Sequence, residues 1–444
     1  MRKGYSIALG ALLLLSSVGF TACNDSPTTQ GRDENVLRVA SWDEYIDMGG
    51  EDSYYSADSK PLYEEFEDWY KQTYGKTIKV EYVALQDNET MYSKIKMDAT
   101  YDLLCPSEYM IMKLAAENRI KPYPESFFDP TQEHNYYAQN LSPYIKEVFE
   151  NGKLANGKSW ADYAAGYMWG STGFVFNPEK IDRNIMKSWH CVTNEACSRK
   201  ITAKDNVRDT YFMGLGMYYE TELLALKASY QSGSISKAEY TSALSRCMND
   251  TSVETMGKVK KHLENMRKNL YGLETDEGKL EVISGRLDAS FQWSGDAVYI
   301  LDEAEANGLA LEYSIPEAAS NLWFDGWVMM EGANEHAAMA FVNFLSMPQN
   351  VVRNMYYIGY TSCIAGDEVF EYVCDTYSDE EGGVCYDLSY FFGEGYSLTT
   401  TEEQTRRQLF AQYPTAETID RLVVMEYFDA KTNERANRMW NNIK

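Results

Sequence analysis

The chain has 444 residues, a formal charge of −26, and an aromatic content of 14% that includes 35 tyrosines and 9 tryptophans. That length exceeds one ordinary hydrophobic core and calls for two domains of roughly 150–200 residues each. The acidity excludes nucleic acid as a partner, because phosphates would be repelled, and it raises the local concentration of cations.

Arg2 and Lys3 precede the apolar run "ALGALLLLSSVGF", which ends in small residues at "TAC". A basic start, a short apolar stretch and a small-residue cut predict a signal peptide over residues 1–22. Cys23 directly after the cut is the expected lipidation site of a bacterial lipoprotein, and "NDSPTTQGRDEN" then reads as a flexible tether over residues 23–35. Export permits disulfides. The spacings Cys191/Cys197 and Cys374/Cys385 allow local bridges, although sequence alone leaves the pairing open.

Residues 36–39 and "TIKVEYVAL" (77–85) read as buried strands separated by a helix in "PLYEEFEDWYKQTYG", with Gly75 at its stop. "NETMYSKIKM" opens a second helix with Asn88 as N-cap, and "YDLLCPSEY" is a strand running into a loop. Alternating strands and helices predict a parallel α/β sheet whose ligand site lies at the carboxyl ends of the strands. "GYMWGSTGFVFNP" reads as a strand pair with a glycine-rich join, and "LDASFQWSGDAVYILDEAEANG" as strand, loop, helix. "NEHAAMAFVNFLSMPQNVVRNMYY" reads as one later helix, residues 361–400 as a loop-rich insertion, and the C-terminus as mostly helical.

Aromatic rings and acids recur together at the predicted strand ends. Trp42, Asp43, Glu44 and Tyr45 close the first strand, Ser107 and Tyr109 follow the third, Trp293 opens "WSGD", and Trp323 precedes Asp325 in "LWFDGW". An alkyl ammonium over an aromatic face gains about 0.5–2 kcal/mol. Its methylenes gain about 0.8 kcal/mol each on leaving water, and carboxylates bond its charged ends. This combination suits an elongated cation such as a polyamine. Catalysis is not expected. "WGSTG" lacks the G-x-S-x-G spacing, no histidine is placed to activate Cys105 or a serine, and adjacent acids on a strand end point apart. Four scattered histidines and no C-x-x-C argue against a structural zinc site, and no motif calls for a cofactor.

Six blocks in order, "ASWDEYI", "NETMYSKIK...YDLLCPSEYMIMKL", "YMWGSTGFVFNPEKI", "FQWSGDAVYIL", "WFDGWVM" and "AFVNFLSMPQN", resemble the bacterial spermidine/putrescine-binding proteins of polyamine ABC transporters. The resemblance implies a type II periplasmic-binding-protein fold, two α/β lobes joined by hinge strands. Lobe 1 would comprise residues 36–170 and 323–366, and lobe 2 residues 171–322 and 367–444. It implies a monomer that presents its ligand to a membrane permease. It carries ligand-binding roles onto Trp42, Tyr45, Ser107, Tyr109, Trp293, Trp323, Asp325 and Tyr360. In "KDNVRDTYF" Asp209 matches one of the family's two acids, while Asn206 replaces the other. Asp43, where the family has threonine, would restore that charge from the opposite lobe, Glu44 is retained, and Glu426 aligns with a family glutamine. The loss of charge at Asn206 leaves an amino acid, a peptide or a sugar as the alternative ligand. A secreted hydrolase using the same cleft is the third reading.

Overall fold

The first strand, β1 (Val36–Trp42), pairs in parallel with β2 (Lys79–Leu85). Parallel neighbours need a crossover, and the Leu62–Tyr74 helix supplies it, burying Leu62, Phe66 and Tyr70 and stopping at left-handed Gly75, φ 67°. The computed structural model describes residues 33–154, 156–274 and 278–444. The expected signal peptide, the Cys23 lipidation site and the tether up to residue 32 lie outside the described residues. The Asn88–Lys96 helix is capped by Asp87, whose Oδ1 accepts from Thr90 N at 2.6 Å, and not by Asn88. The Asn88 amide is engaged elsewhere, donating to Ser107 Oγ at 3.0 Å and accepting from Ser107 N at 3.1 Å.

Two short strands follow, β3 (Leu103–Leu104) and β4 (Ile120–Lys121), then β5 (Ala164–Phe176), β6 (Ile201–Lys204), β7 (Gly272–Glu274), β8 (Ala289–Trp293), β9 (Glu312–Ser314) and β10 (Ser320–Met330). The remainder are β11 (Thr361–Ser362), β12 (Val384–Asp387), β13 (Ser397–Thr400) and β14 (Leu422–Val424). The main sheet runs β2-β1-β3-β10-β5-β8-β6-β7. Its central pair, β5 and β10, is antiparallel and buried along its whole length. β5 pairs with β10 up to Ser171 and with β8 from Thr172 onward, so one unbroken strand serves both halves of a two-lobed α/β fold.

The sequence pattern of β5 had suggested two strands and a join. Its glycines are instead places where side chains lie on the backbone. A Cβ at Gly170 would overlap Trp323 and the Ser294 hydroxyl, and one at Gly173 would press on Tyr313. No loop separates β8 from the Ser294–Ala306 helix. The predicted later helix is two, Glu335–Leu345 and Pro348–Ile358, because proline at the second helix's first position ends the preceding one. The C-terminus includes β14, paired in parallel with β10. The 361–400 segment is ordered around the β12–β13 hairpin and the Asp367–Tyr377 helix. Ser142 Oγ donates to Phe391 O at 2.7 Å, tying this segment to the Pro143–Asn151 helix. Cys191, Cys197, Cys374 and Cys385 are unbridged thiols, so the local bridges that their spacing allows are not formed.

The segment after β1 is anchored by a buried ion pair. Arg353 Nε lies 2.8 Å from Asp47 Oδ2, with Asp47 wholly buried. Asp47 also accepts from Ser53 Oγ at 2.9 Å, and its own N–H donates to Asn354 Oδ1 at 2.9 Å. Removing one partner of such a pair leaves an uncompensated buried charge at a cost of about 3–5 kcal/mol. Asp47→Ala is therefore expected to lose about that much stability in a urea titration, with the slope of the transition unchanged.

Candidate functional site

Asp325 sits near the middle of β10, beside an irregularity in the central pair. Asp325 faces Met168 and Gly326 faces Gly166, leaving Tyr167 as one extra residue on β5. Such a bulge re-aims side chains. Here Tyr167 donates through its hydroxyl to Tyr45 O at 2.9 Å. Tyr45 OH donates to Asp325 Oδ2 at 2.6 Å, and Trp42 Nε1 donates to the same oxygen at 3.2 Å. Ser107 forms a backbone bridge to Asp325. Burial pushes the Asp325 carboxyl above its usual range, against the lowering effect of the bonds from Tyr45, Ser107 and Trp42. Among the described residues no lysine or arginine forms an ion pair with it. The site therefore holds a buried carboxyl group bonded by neutral donors, with no lysine or arginine paired to it among the described residues.

From this centre an aromatic path leads to the other lobe. Tyr45 and Tyr360 meet edge-on with centroids 5.9 Å apart, and Tyr360 lies 5.4 Å from Trp323. Trp323 Nε1 donates to Ser171 O at 3.0 Å, fixing the indole against β5. The Tyr360 ring covers Gly295, and its hydroxyl donates to Asp296 Oδ1 at 3.2 Å. Trp293, the last residue of β8, adjoins this helix start. The indoles of residues 42, 293 and 323 thus belong to one connected set of contacts at the β5–β10 crossing.

The second half of the site carries its own cations, which sequence reasoning missed. Lys204, almost wholly buried, ends β6 with its ammonium 4.6 Å over the Trp293 ring and 3.6 Å from both Glu274 and Asp296. Lys279 adds a 2.8 Å pair to Asp296. Four residues beyond Lys204, the Arg208 guanidinium stacks 4.6 Å over Tyr109 and 4.0 Å over Phe428. Lys204 and Arg208 lie in the "KDNVRDTYF" stretch, where a family motif calls for acids and cations read as surface charge. Asn206 is the N-cap of the Val207–Gln231 helix, its Oδ1 accepting from Arg208 N and Asp209 N. Asp209 is buried and its carboxyl is pushed up to about 6, with Lys204 and a bond from Trp293 opposing that rise. Tyr109 OH donates to Glu89 Oε1 at 3.2 Å. Glu426 is exposed and reaches Arg208 through its carbonyl. Asp43 and Glu44 are exposed, with Glu44 N donating to Asp43 Oδ1 at 3.2 Å, and neither joins the contacts around Asp325.

This fold has known relatives. A family model described as bacterial extracellular solute-binding protein matches residues 62–366, and the chain belongs to that family. A spermidine/putrescine-binding periplasmic protein of Salmonella typhimurium is 25% identical over 358 residues, 80% of this chain and 82% of its own. A putrescine-binding periplasmic protein of Pseudomonas aeruginosa is 23% identical over 100% of this chain and 99% of its own. Among solved structures, a spermidine/putrescine ABC transporter substrate-binding protein of Streptococcus pneumoniae superposes with TM-score 0.61 at 23% identity. That match covers 92% of this chain and 98% of the other. The resemblance read from the six sequence blocks is borne out at the level of family and fold.

Glu108, buried beside Asp325, has its carboxyl pushed up to about 8 by burial and by the Asp325 charge. A carboxyl whose folded pKa is raised binds its proton more tightly folded than unfolded. Stability therefore falls as pH climbs from the usual 4.5 to about 8. The share from Asp209 ends at about 6. Between those two upper values, Glu108→Gln is expected to remove about 2–3 kcal/mol of the pH-dependent loss. Thermal melts of both proteins across that window check it, and parallel curves would remove Glu108 from the account.

Proposed function

We propose that this protein is an extracytoplasmic solute receptor that closes its two lobes on a small organic cation of the polyamine class and delivers it to an ABC permease. The observation that carries this reading is Asp325, a buried carboxylate with neutral donors and no cation of its own among the described residues. Tyr45, Trp42, Trp323 and Tyr360 flank it with apolar surface for methylenes. The printed names of the Salmonella and Pseudomonas relatives support the same ligand class. β5 and β10 run through both halves of the sheet. In this reading the chain crosses between lobes near Gly170–Ser171, returns near Trp323 and crosses again near Gly366. Bending there would open and close the cleft, as hinge-closing receptors do. A lipid at Cys23 would hold the monomer at a bacterial membrane. Among the described residues no helix is long and apolar enough to cross one.

Titration calorimetry with putrescine and spermidine tests the reading. Asp325→Asn preserves shape and removes the charge. It is expected to weaken binding by about a hundredfold or more, in line with losing one partner of a buried charge pair. Equal affinity in the two proteins would place the ligand elsewhere.

A further inference from the structure

Lys204 is the last residue of β6, and its side chain is only 1% exposed, so a full positive charge has left water. Its Nζ lies 4.6 Å over the Trp293 ring and 3.6 Å from both Glu274 Oε1 and Asp296 Oδ2. An alkyl chain that ends in an ammonium, set on an aromatic face between carboxylates, is how a linear amine would be held. Here the protein supplies that amine itself.

The two acids are matched at every oxygen. Glu274 Oε1 also accepts from Gln292 Nε2 at 3.1 Å, and its Oε2 accepts from Gly278 N at 3.2 Å. Asp296 Oδ1 lies 2.8 Å from Lys279 Nζ and accepts from the Tyr360 hydroxyl at 3.2 Å, while Oδ2 faces Lys204. Neither acid is left to receive a ligand ammonium. Asp325 differs, since its bonds come from the neutral donors Tyr45 and Trp42.

Direct contacts join the two places. Tyr360, bonded to Asp296, meets the ring of Tyr45, whose hydroxyl donates to Asp325 at 2.6 Å. On β5, Gly170 is crowded by both Trp323 and the hydroxyl of Ser294, the residue after Trp293, and that hydroxyl accepts from Ser171 N at 3.2 Å. A linear guest anchored at Asp325 would run along Tyr45, Tyr360 and Trp323 toward Trp293 and meet Lys204 there. A second ammonium at that end would be repelled by the lysine and would find its acids already shared.

We infer that Lys204 determines specificity by filling the second lobe's cation subsite with its own ammonium, so that the preferred ligand is a monoamine, charged at Asp325 and uncharged toward Trp293. The inference rests on the proposed site, since it takes Asp325 as the ammonium anchor, and it narrows the guest to a cation with a single charge.

Calorimetry on the full chain with butylamine, putrescine and spermidine tests it. Butylamine and putrescine share a four-carbon chain and differ in the second ammonium. Butylamine should bind the wild type as tightly as putrescine or tighter. Lys204→Ala, which clears the Trp293 face, should raise the affinity of putrescine relative to butylamine by tenfold or more. The comparison in the wild type stands even if the variant fails to fold. Tighter binding of putrescine or spermidine than of butylamine by the wild type, or a ratio that a folded Lys204→Ala leaves unchanged, overturns the inference while sparing the polyamine-class reading. Binding of none of the three overturns both.

Discussion

The site is organised around one desolvated charge. Asp325 lies in the interior strand pair that joins the lobes, and its carboxylate is bonded by Tyr45 and Trp42 without any cation paired to it among the described residues. A buried carboxylate in that state is unfavourable until a positive group reaches it. The surroundings fix its donors in place. The bulge at Tyr167 sets the register of β10 against β5, Tyr167 holds the Tyr45 backbone, and the Asp47–Arg353 pair pins the segment that presents Trp42 and Tyr45.

The position of this charge links recognition to shape. β5 and β10 are shared by both halves of the sheet, and Tyr360 contacts Tyr45 on one side and the start of the Ser294–Ala306 helix on the other. A ligand that neutralises Asp325 while touching that helix would make contacts with both halves at once. Such a ligand favours the closed arrangement by the difference in its contacts between the open and closed states. Elsewhere the rings carry internal cations, Lys204 over Trp293 and Arg208 over Tyr109 and Phe428.

Much of this was legible in the sequence, for a simple reason. In alternating α/β chains the strand ends converge, so Trp42, Ser107 and Trp293, each following a short apolar run, pointed to one place, and Asp325 beside Trp323 completed it. The misses also have physical causes. Gly170 and Gly173 looked like turn residues because glycine in a strand signals a turn as often as a close approach, and only the packed Trp323 and Tyr313 rings distinguish the two. Lys204 and Arg208 were invisible because a lysine or arginine near a polar loop ordinarily faces water. Their burial depends on partners as distant as Asp296 and Phe428. Asn206, read as lacking the family's charge, also caps the Val207–Gln231 helix.

The most direct measurement of the central claim is the ionisation of Asp325 itself, followed by carboxyl carbon NMR with an Asp325→Asn spectrum for assignment. In the free protein the group should titrate above the ordinary aspartate range. Adding saturating ligand should bring an ammonium beside the carboxylate and drop its titration below that range. A midpoint that ligand leaves where it was would contradict the claim that this carboxylate is what the guest neutralises.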